Sequence, residues 1–481
     1  MRKEKTKLPV ASGQLPVHHR PSEKWPVASG RLPVASTRLP VHDRPNETLP
    51  ATGNRLLATI ATLVAILAIP ASAQTTITDT MAATDAAAVV RIAVPFPELR
   101  PVGAAAPQPV NGEEVRQLFF GSLTRDIAYS GIMAIAPVPP SVPITPELLR
   151  QIEAQLHLQL NVWTEGTDYV VEARLVDQSG SAQLKKRYRA PAAALSRTAH
   201  MLANEIVRTL NGRPGVFLSQ IAFASNRTGN WEIWLMDWDG ANQRKITNHG
   251  ALSILPSWAP DNERMVYTSF ARGTSDMYII NRRGGGRTRI DSGLALNTSA
   301  TFSPVGNDIA FVGSVAGNPD IYLIKDDSSN VRRLTSSGSI ESTPEWSPNG
   351  RQISFTSGRS GSPQIYVMDA EGTNVRRISF EGTWNDDATW SPDGEKLAYT
   401  SRVNGRFQIR IANLATGESR IIAGEGSNEQ PTWSPDGQWI AFQSNRSGRW
   451  QVYRIRIDGT DLLPLTSVGE NKEPDWSKKP E

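Results

Sequence analysis

The 481-residue chain has no cysteine at all. Disulfides and thiolate metal sites are therefore excluded, and an oxidising compartment neither helps nor harms it. Histidine is scarce: of six in the chain, three lie beyond residue 73, at His157, His200 and His249. Their spread along the chain argues against a shared metal site. No Gly-x-Ser-x-Gly elbow and no α/β-hydrolase pattern is present, which counts against a propeller-type peptidase. No apolar run reaches the roughly 18 to 20 residues needed to cross a bilayer. The longest, residues 56–69, has 14. It follows Asn54-Arg55 and precedes Pro70-Ala71-Ser72-Ala73. That order of a basic flank, a short apolar core and small residues reads as a secretory signal (54–73), cut between Ala73 and Gln74.

Net charge is also misleading as a whole-chain figure. The chain is formally +4, but residues 1–73 hold 10 Lys+Arg and 4 Asp+Glu. Subtraction leaves 41 basic and 43 acidic residues, a mature chain of −2. The basic footprint of a nucleic-acid binder is absent, so no nucleic-acid partner is expected. Residues 1–53 repeat the phrases Leu-Pro-Val-Ala-Ser and Leu-Pro-Val-His. Being Pro-rich and unperiodic, they cannot bury a core and read as a disordered extension, or as an over-called start of translation.

What is present is a repeat. Pro256-Ser257-Trp258-Ala259-Pro260 returns as Ala300-Thr301-Phe302-Ser303-Pro304, Pro344-Glu345-Trp346-Ser347-Pro348, Ala388-Thr389-Trp390-Ser391-Pro392, Pro431-Thr432-Trp433-Ser434-Pro435 and Pro474-Asp475-Trp476-Ser477. The aromatics step by 44, 44, 44, 43 and 43 residues. A period of 40 to 45 with an aromatic and a turn per unit marks a β-propeller with one four-stranded blade per repeat. The tryptophans read as blade core and the Pro and Gly as turn geometry. The array starts with a second strand, Ile221-Ala222-Phe223, that has no phrase before it, and ends on a phrase with no second strand after it. The C-terminal Pro474–Ser477 strand is therefore expected to complete the first blade and close a six-bladed ring over 213–481.

Ahead of the ring, residues 74–90 read as a flexible arm and 91–212 as a small α/β domain. A strand is expected at 89–96, a helix over 113–130 and a second helix from Thr145-Pro146-Glu147 to about Leu158. A hairpin about Gln178-Ser179-Gly180 and a last helix from Pro191 to Asn211-Gly212 complete it. This puts His157 and His200 on helices and His249 in a blade loop. Asp237-Trp238-Asp239-Gly240 has half the pattern of a calcium loop, but a hairpin turn accounts for it better. Arg282, Arg283, Arg287 and Arg289, around Gly284-Gly285-Gly286, read as a solvated basic turn.

With these residues in view the chain resembles the TolB family, periplasmic propeller proteins of the Tol–Pal system of Gram-negative bacteria. The resemblance rests on the signal, Ile92-Ala93-Val94-Pro95-Phe96, Asp126-Ile127-Ala128-Tyr129-Ser130-Gly131, Asp168-Tyr169-Val170-Val171 and the six units of Trp-Ser-Pro-Asp-Gly type. It implies a non-enzymatic, monomeric scaffold without cofactor or metal. Such a scaffold would bind the peptidoglycan-associated lipoprotein Pal through one propeller mouth and TolA through the arm. Other outer-membrane proteins are further partners it allows. The loops entering the inner strands are the implied contact: Leu296, Asn297, Thr298, Glu341, Ser342, Thr343, Asn385, Asp386, Asp387, Asn428, Glu429, Asn471 and Glu473, with Ser253 to Leu255 alongside. Thr80 to Ala88 is a poor strand former, a departure from the family's arm that weakens the TolA expectation. The rival reading is a secreted propeller hydrolase or lyase, for which Asp386 and Asp387 would be the carboxylates to examine.

Overall fold

A computed structural model describes residues 89–100, 110–139, 142–315 and 317–478. The Pro-rich extension, the apolar leader with its Ala73–Gln74 cut, and the arm up to residue 88 lie outside them.

The small domain is a mixed sheet under two helices. Its strands are β1 (Val90–Ala93), β2 (Glu98–Leu99), β3 (Met133–Ala136), β4 (Leu156–Glu165), β5 (Asp168–Asp177) and β6 (Ala182–Pro191), in the order β3-β1-β4-β5-β6 with β2 beside β4. Pairings of β1 with β3 and β4 are parallel, and β4, β5 and β6 form an antiparallel meander. Helix α1 starts at the Asn111 cap and runs to Tyr129 with a π-segment at Val115–Phe120. Short α2 (Pro146–Gln151) starts on the Thr145 cap, and α3 (Leu195–Asn211) ends on left-handed Gly212. Apolar positions of α1 and α3 pack onto the sheet through Phe119, Leu123, Ile127, Leu202 and Ile206, all fully buried.

Two expectations fail here. The second helix stops at Gln151, with Glu153 in a left-handed conformation (φ 56°) just beyond it. Leu156, Leu158, Leu160 and Val162 then alternate with Gln159 and Asn161 as buried and half-buried residues, the period-two pattern of a strand. His157 accordingly sits on β4, not on a helix. Strand β3, only four residues long, was not anticipated at all.

The rest of the chain is six sheets of four strands. Blade 1 is Asn471–Trp476, Gln220–Thr228, Asn230–Asp237 and Arg244–Lys245. Blades 2 to 6 begin with inner strands Ser253–Trp258, Leu296–Phe302, Glu341–Trp346, Asn385–Trp390 and Asn428–Trp433. The C-terminal strand thus pairs antiparallel with the first propeller strand, Trp476 opposite Ile221, and the ring closes as its repeat offset requires. Neighbouring inner strands touch all the way round, so they wall a central tunnel. The phrase tryptophans do more than fill the core. Trp258, Trp390 and Trp433 each donate an indole N–H, at 3.2 Å, to a carbonyl of the preceding blade's inner strand. At these three positions the repeated aromatic is therefore an inter-blade clamp as well as core.

The turn after the third strand holds a left-handed residue, glycine in every blade but the third, where it is Ser328 (φ 71°). At Gly240 (φ 85°) an added Cβ would lie 2.7 Å from the Leu465 carbonyl oxygen. Asp237 accepts from Gln220 and Asn242 side chains, so this segment is a hairpin turn built by local hydrogen bonds.

Candidate partner-binding face

The two ends of the propeller are used differently. At one end lie the turns joining first to second and third to fourth strands, and on blades 1 and 6 these turns carry the small domain. Trp238 and Trp439, both fully buried, meet Tyr129 of α1 edge-on at 6.4 and 5.7 Å between ring centres. Arg454, 1% exposed, stacks 3.8 Å from the Trp238 ring and donates to its carbonyl. Arg456 donates to the Tyr129 carbonyl, and Arg125 pairs with Asp239 at 2.6 Å. Behind them His200 of α3 donates through Nδ1 to Asp126 of α1 at 2.6 Å. Burial pushes the Asp126 carboxyl up to about 6 against the pull of His200. For His200, burial works downward, but the Asp126 hydrogen bond and charge prevail and hold its pKa above the ordinary value.

The opposite end carries the loops entering the inner strands and the loops between second and third strands. The small-domain contacts described above all lie at the first end. It is the candidate face, and the repeat lets it be read position by position, counting back from the clamp aromatic.

Five residues back stand Ser253, Asn297, Glu341, Asn385, Asn428 and Asn471. All six are buried. Glu341 pairs with Arg359 at 3.0 Å and accepts from Ser357. Asn385, Asn428 and Asn471 donate their amides to Gln364, Gln408 and Gln451 of the preceding blade. Asn297 donates to the Leu294 carbonyl. In blades 1, 4 and 6 an arginine closes the arrangement: Arg227 on Asn471, Arg359 on Glu341 and Arg446 on Asn428. Each lies over the blade's aromatic pair, as Arg359 does 5.5 Å from Phe355 and 5.0 Å from Tyr366. These side chains brace loops and offer no surface to a partner. Asn297, Glu341, Asn385, Asn428 and Asn471 of the expected contact set are thus buried in the structure. The recurring Ser-x-Arg (Ser225-Asn226-Arg227, Ser357-Gly358-Arg359, Ser444-Asn445-Arg446) was the signal that could have revealed it.

Four and three residues back the wall is half-buried and faces the tunnel. The third-back residues Leu255, Ser299, Thr343, Asp387, Gln430 and Glu473 are all left-handed, with φ of 46 to 55°. Each sits in a break of register, a bulge that turns the strand edge inward. None is glycine, so every blade stores the same local strain at its mouth. The expected residues Thr298, Ser342, Thr343, Asp386, Asp387, Glu429 and Glu473 are brought together on this wall, and Leu296 flanks it. Asp386 accepts from Thr356 at 2.7 Å and Thr343 at 3.2 Å. Glu473 accepts from the Leu255 N–H at 2.7 Å. Burial first, then the charges of Asp386, Glu429 and Glu473, hold the Asp387 carboxyl well above the ordinary carboxylate range. Burial also lifts Glu473 to about 7.

One residue back, deeper in the tunnel, a polar belt joins blades. Thr301 donates to Glu345, Thr432 donates to Asp475, and Asp475 accepts the Trp258 N–H at 2.7 Å. Lys478, just past the closing strand, pairs with Asp475 at 3.0 Å and Glu345 at 3.4 Å, from blade 1 to blade 4. Burial disfavours its charge, but the two carboxylates outweigh that and raise its pKa above the ordinary value. Sequence reasoning missed Lys478, because only the closed ring brings blades 1 and 4 face to face.

Elsewhere the histidines stay apart: His249 meets the Tyr267 hydroxyl at 3.1 Å, and burial lowers the pKa of His157. Among the described residues no group of three His, Asp or Glu is arranged to hold a metal ion, and no helix is long and apolar enough to cross a membrane. In the basic hairpin, Arg289 pairs with Asp276 and Arg282 with Glu263.

Fold and face together define a six-bladed propeller capped at one end by an α/β domain and open at the other. Residues 207–480 match the family model of the TolB beta propeller domain, and the chain belongs to that family. A crystal structure of TolB from Acinetobacter baumannii superposes with a TM-score of 0.68 at 26% identity, covering 81% of this chain and 96% of that one. A TolB homolog of Chlorobium chlorochromatii is 36% identical over 95 residues, 20% of this chain and 22% of the relative. A Tol-Pal system protein TolB of Desulfosudis oleivorans is 34% identical over 125 residues, 26% and 28% respectively. These matches span about a quarter of the curated relatives' length.

Proposed function

We propose that the chain is the propeller component of a Tol–Pal system: a non-enzymatic periplasmic scaffold that binds the peptidoglycan-associated lipoprotein at the open mouth. The observation that carries this is the unequal use of the two ends. A cap and an internal Lys478 occupy one end, whereas the other gathers Asp386, Asp387, Glu429 and Glu473 on a tunnel wall. Clustered carboxylates of this kind favour a partner bringing cations and amide donors. The relatives' Tol-Pal titles supply the system to which that partner belongs. In this reading the signal is removed between Ala73 and Gln74, residues 74–90 form the arm toward TolA, and 91–212 and 213–481 are the two domains. Linkage of cell wall and outer membrane during constriction is the role that follows.

The test is calorimetric titration of the chain from Gln74 with the cognate lipoprotein ectodomain. Asp387→Lys with Glu429→Lys should weaken binding at least roughly thirtyfold, since opposed charges at a desolvated contact are worth about 2 kcal/mol or more. Absence of binding by the unaltered chain, together with cleavage of wall-derived peptide or glycan, would replace the scaffold with the hydrolase reading.

A further inference from the structure

The open mouth is not uniform around its ring. Four and three residues before the clamp aromatic, blades 2, 3 and 4 present Ile254 and Leu255, Thr298 and Ser299, Ser342 and Thr343. None carries charge. Blades 5, 6 and 1 present Asp386 and Asp387, Glu429 and Gln430, Lys472 and Glu473. All the charge on this wall lies in one half.

The loops outside the wall repeat the division. Immediately before the buried third-strand residues Asp276, Asp320 and Gln364, blades 2, 3 and 4 have Ser275, Pro319 and Pro363; before Gln408, Gln451 and Glu232, blades 5, 6 and 1 have Phe407, Trp450 and Trp231. Lys472 reaches between the two tryptophans, 5.3 Å from the Trp450 ring and 5.6 Å from Trp231. Beside them Val468 is 61% exposed. A groove of about 440 Å³ lies between blades 5 and 6, lined by Arg406, Glu425, Gly426, Ser427, Asn445 and Arg446. Arg406 and Arg449 are exposed on this rim. Reading outward from the tunnel, this half runs from carboxylates through an aromatic corner to arginines. Aromatic and arginine side chains at the centre of a patch are the usual carriers of binding energy.

We propose that the half-mouth of blades 5, 6 and 1 is the docking surface, and that it takes an extended partner segment with one Lys or Arg aimed at the tunnel and carboxylates on either side. The inner acids meet the partner's cation, and the outer arginines meet its carboxylates. Trp231 and Trp450 pack against the segment's stem. Blades 2, 3 and 4 present an uncharged wall at the tunnel, so they contribute shape and little energy. This rests on the reading of the open mouth as a partner site.

The experiment measures binding to two probes, the cognate lipoprotein ectodomain and a synthetic peptide with one lysine flanked by aspartates, with the charge-reversed peptide as control. Variants are Trp231→Ala with Trp450→Ala, and separately Ile254→Ala with Ser342→Ala. Lys472→Glu serves as a surface change should the tryptophan pair fail to fold. The tryptophan pair should lose about thirtyfold for both probes, and the blade 2 and 4 pair less than about threefold. The control peptide should not bind. Peptide binding without lipoprotein binding would uphold the half-mouth and remove the proposed partner. Equal losses from both variant pairs, preference for the charge-reversed peptide, or no binding of either probe would overturn the proposal.

Discussion

The two ends of one tunnel are made from the same repeated strand, yet they solve opposite problems. Near the capped end, Glu345 and Asp475 face each other across the ring, and the chain supplies its own cation, Lys478, to both. At the open end, the charges of Asp386, Glu429 and Glu473 add to burial in raising the Asp387 carboxyl, and Lys472 is drawn aside between two tryptophans. A buried carboxylate without a counter-ion is costly. A fold that neutralises one pair and crowds the next set, holding the Asp387 carboxyl well above the ordinary range, is holding free energy that a cationic partner can release.

The comparison can be broken most severely by opening the ring. Deleting 471–481 removes the inner strand of blade 1, the fully buried Trp476 and Lys478 together. Loss of a buried Trp alone costs about 3 to 5 kcal/mol. The deletion should abolish a cooperative melting transition; a preserved transition would show that closure is not what holds the ring.

Next in size is the joint beneath the capped end. The folded Asp126 and His200 pKa values both lie above their ordinary values, Asp126 at about 6. Raised folded values mean that the native state holds protons more tightly than the unfolded chain. The Asp126 contribution is full below its ordinary value of 3.8 and lost as pH rises through about 6. That of His200 is full below 6.5 and lost as pH rises through its higher folded value. Stability should therefore decline from about pH 4 to pH 6 as the Asp126 contribution is lost and again above pH 6.5 as that of His200 is lost, and Asp126→Asn with His200→Gln should flatten that slope. Denaturant melts at several pH values would show it.

Lys478→Met addresses the tunnel itself. It leaves Glu345 and Asp475 facing each other without their shared cation, at a cost of about 1 to 3 kcal/mol. Burial already raises Glu345, so the loss should grow with pH and shrink at pH 4, where that carboxyl is protonated. The smallest effect belongs to the open end. Asp387→Asn removes one member of the repelling set, so chemical denaturation should show a gain of about 0.5 to 1 kcal/mol at pH 8 that disappears toward pH 4. A stabilised variant that binds its partner less well would show directly that the mouth trades stability for recognition.

The propeller was legible because each blade repeats a core aromatic followed by a turn, and the offset between first and last repeat encoded closure. The small domain was less so. Gln151 to Gln155 is helix-compatible by composition, and only the alternation from Leu156 onward, over too few residues to outweigh the Thr145-Pro146 start, marks β4. At the mouth, the sequence could not distinguish a side chain facing the tunnel from one braced inside a blade. Asn428 and Glu429 are adjacent, and one is buried under Arg446 while the other lines the wall. That difference depends on a bulge and on an arginine 18 residues away.

The account stands on the open end being the working end. Hydrogen exchange of the chain from Gln74, with and without saturating lipoprotein ectodomain, reads both ends at once. Protection should appear in 425–430, 445–451 and 468–473, with the turns at Trp238 and Trp439 unchanged. Protection confined to those turns or to the small domain would place the partner on the capped end and contradict it.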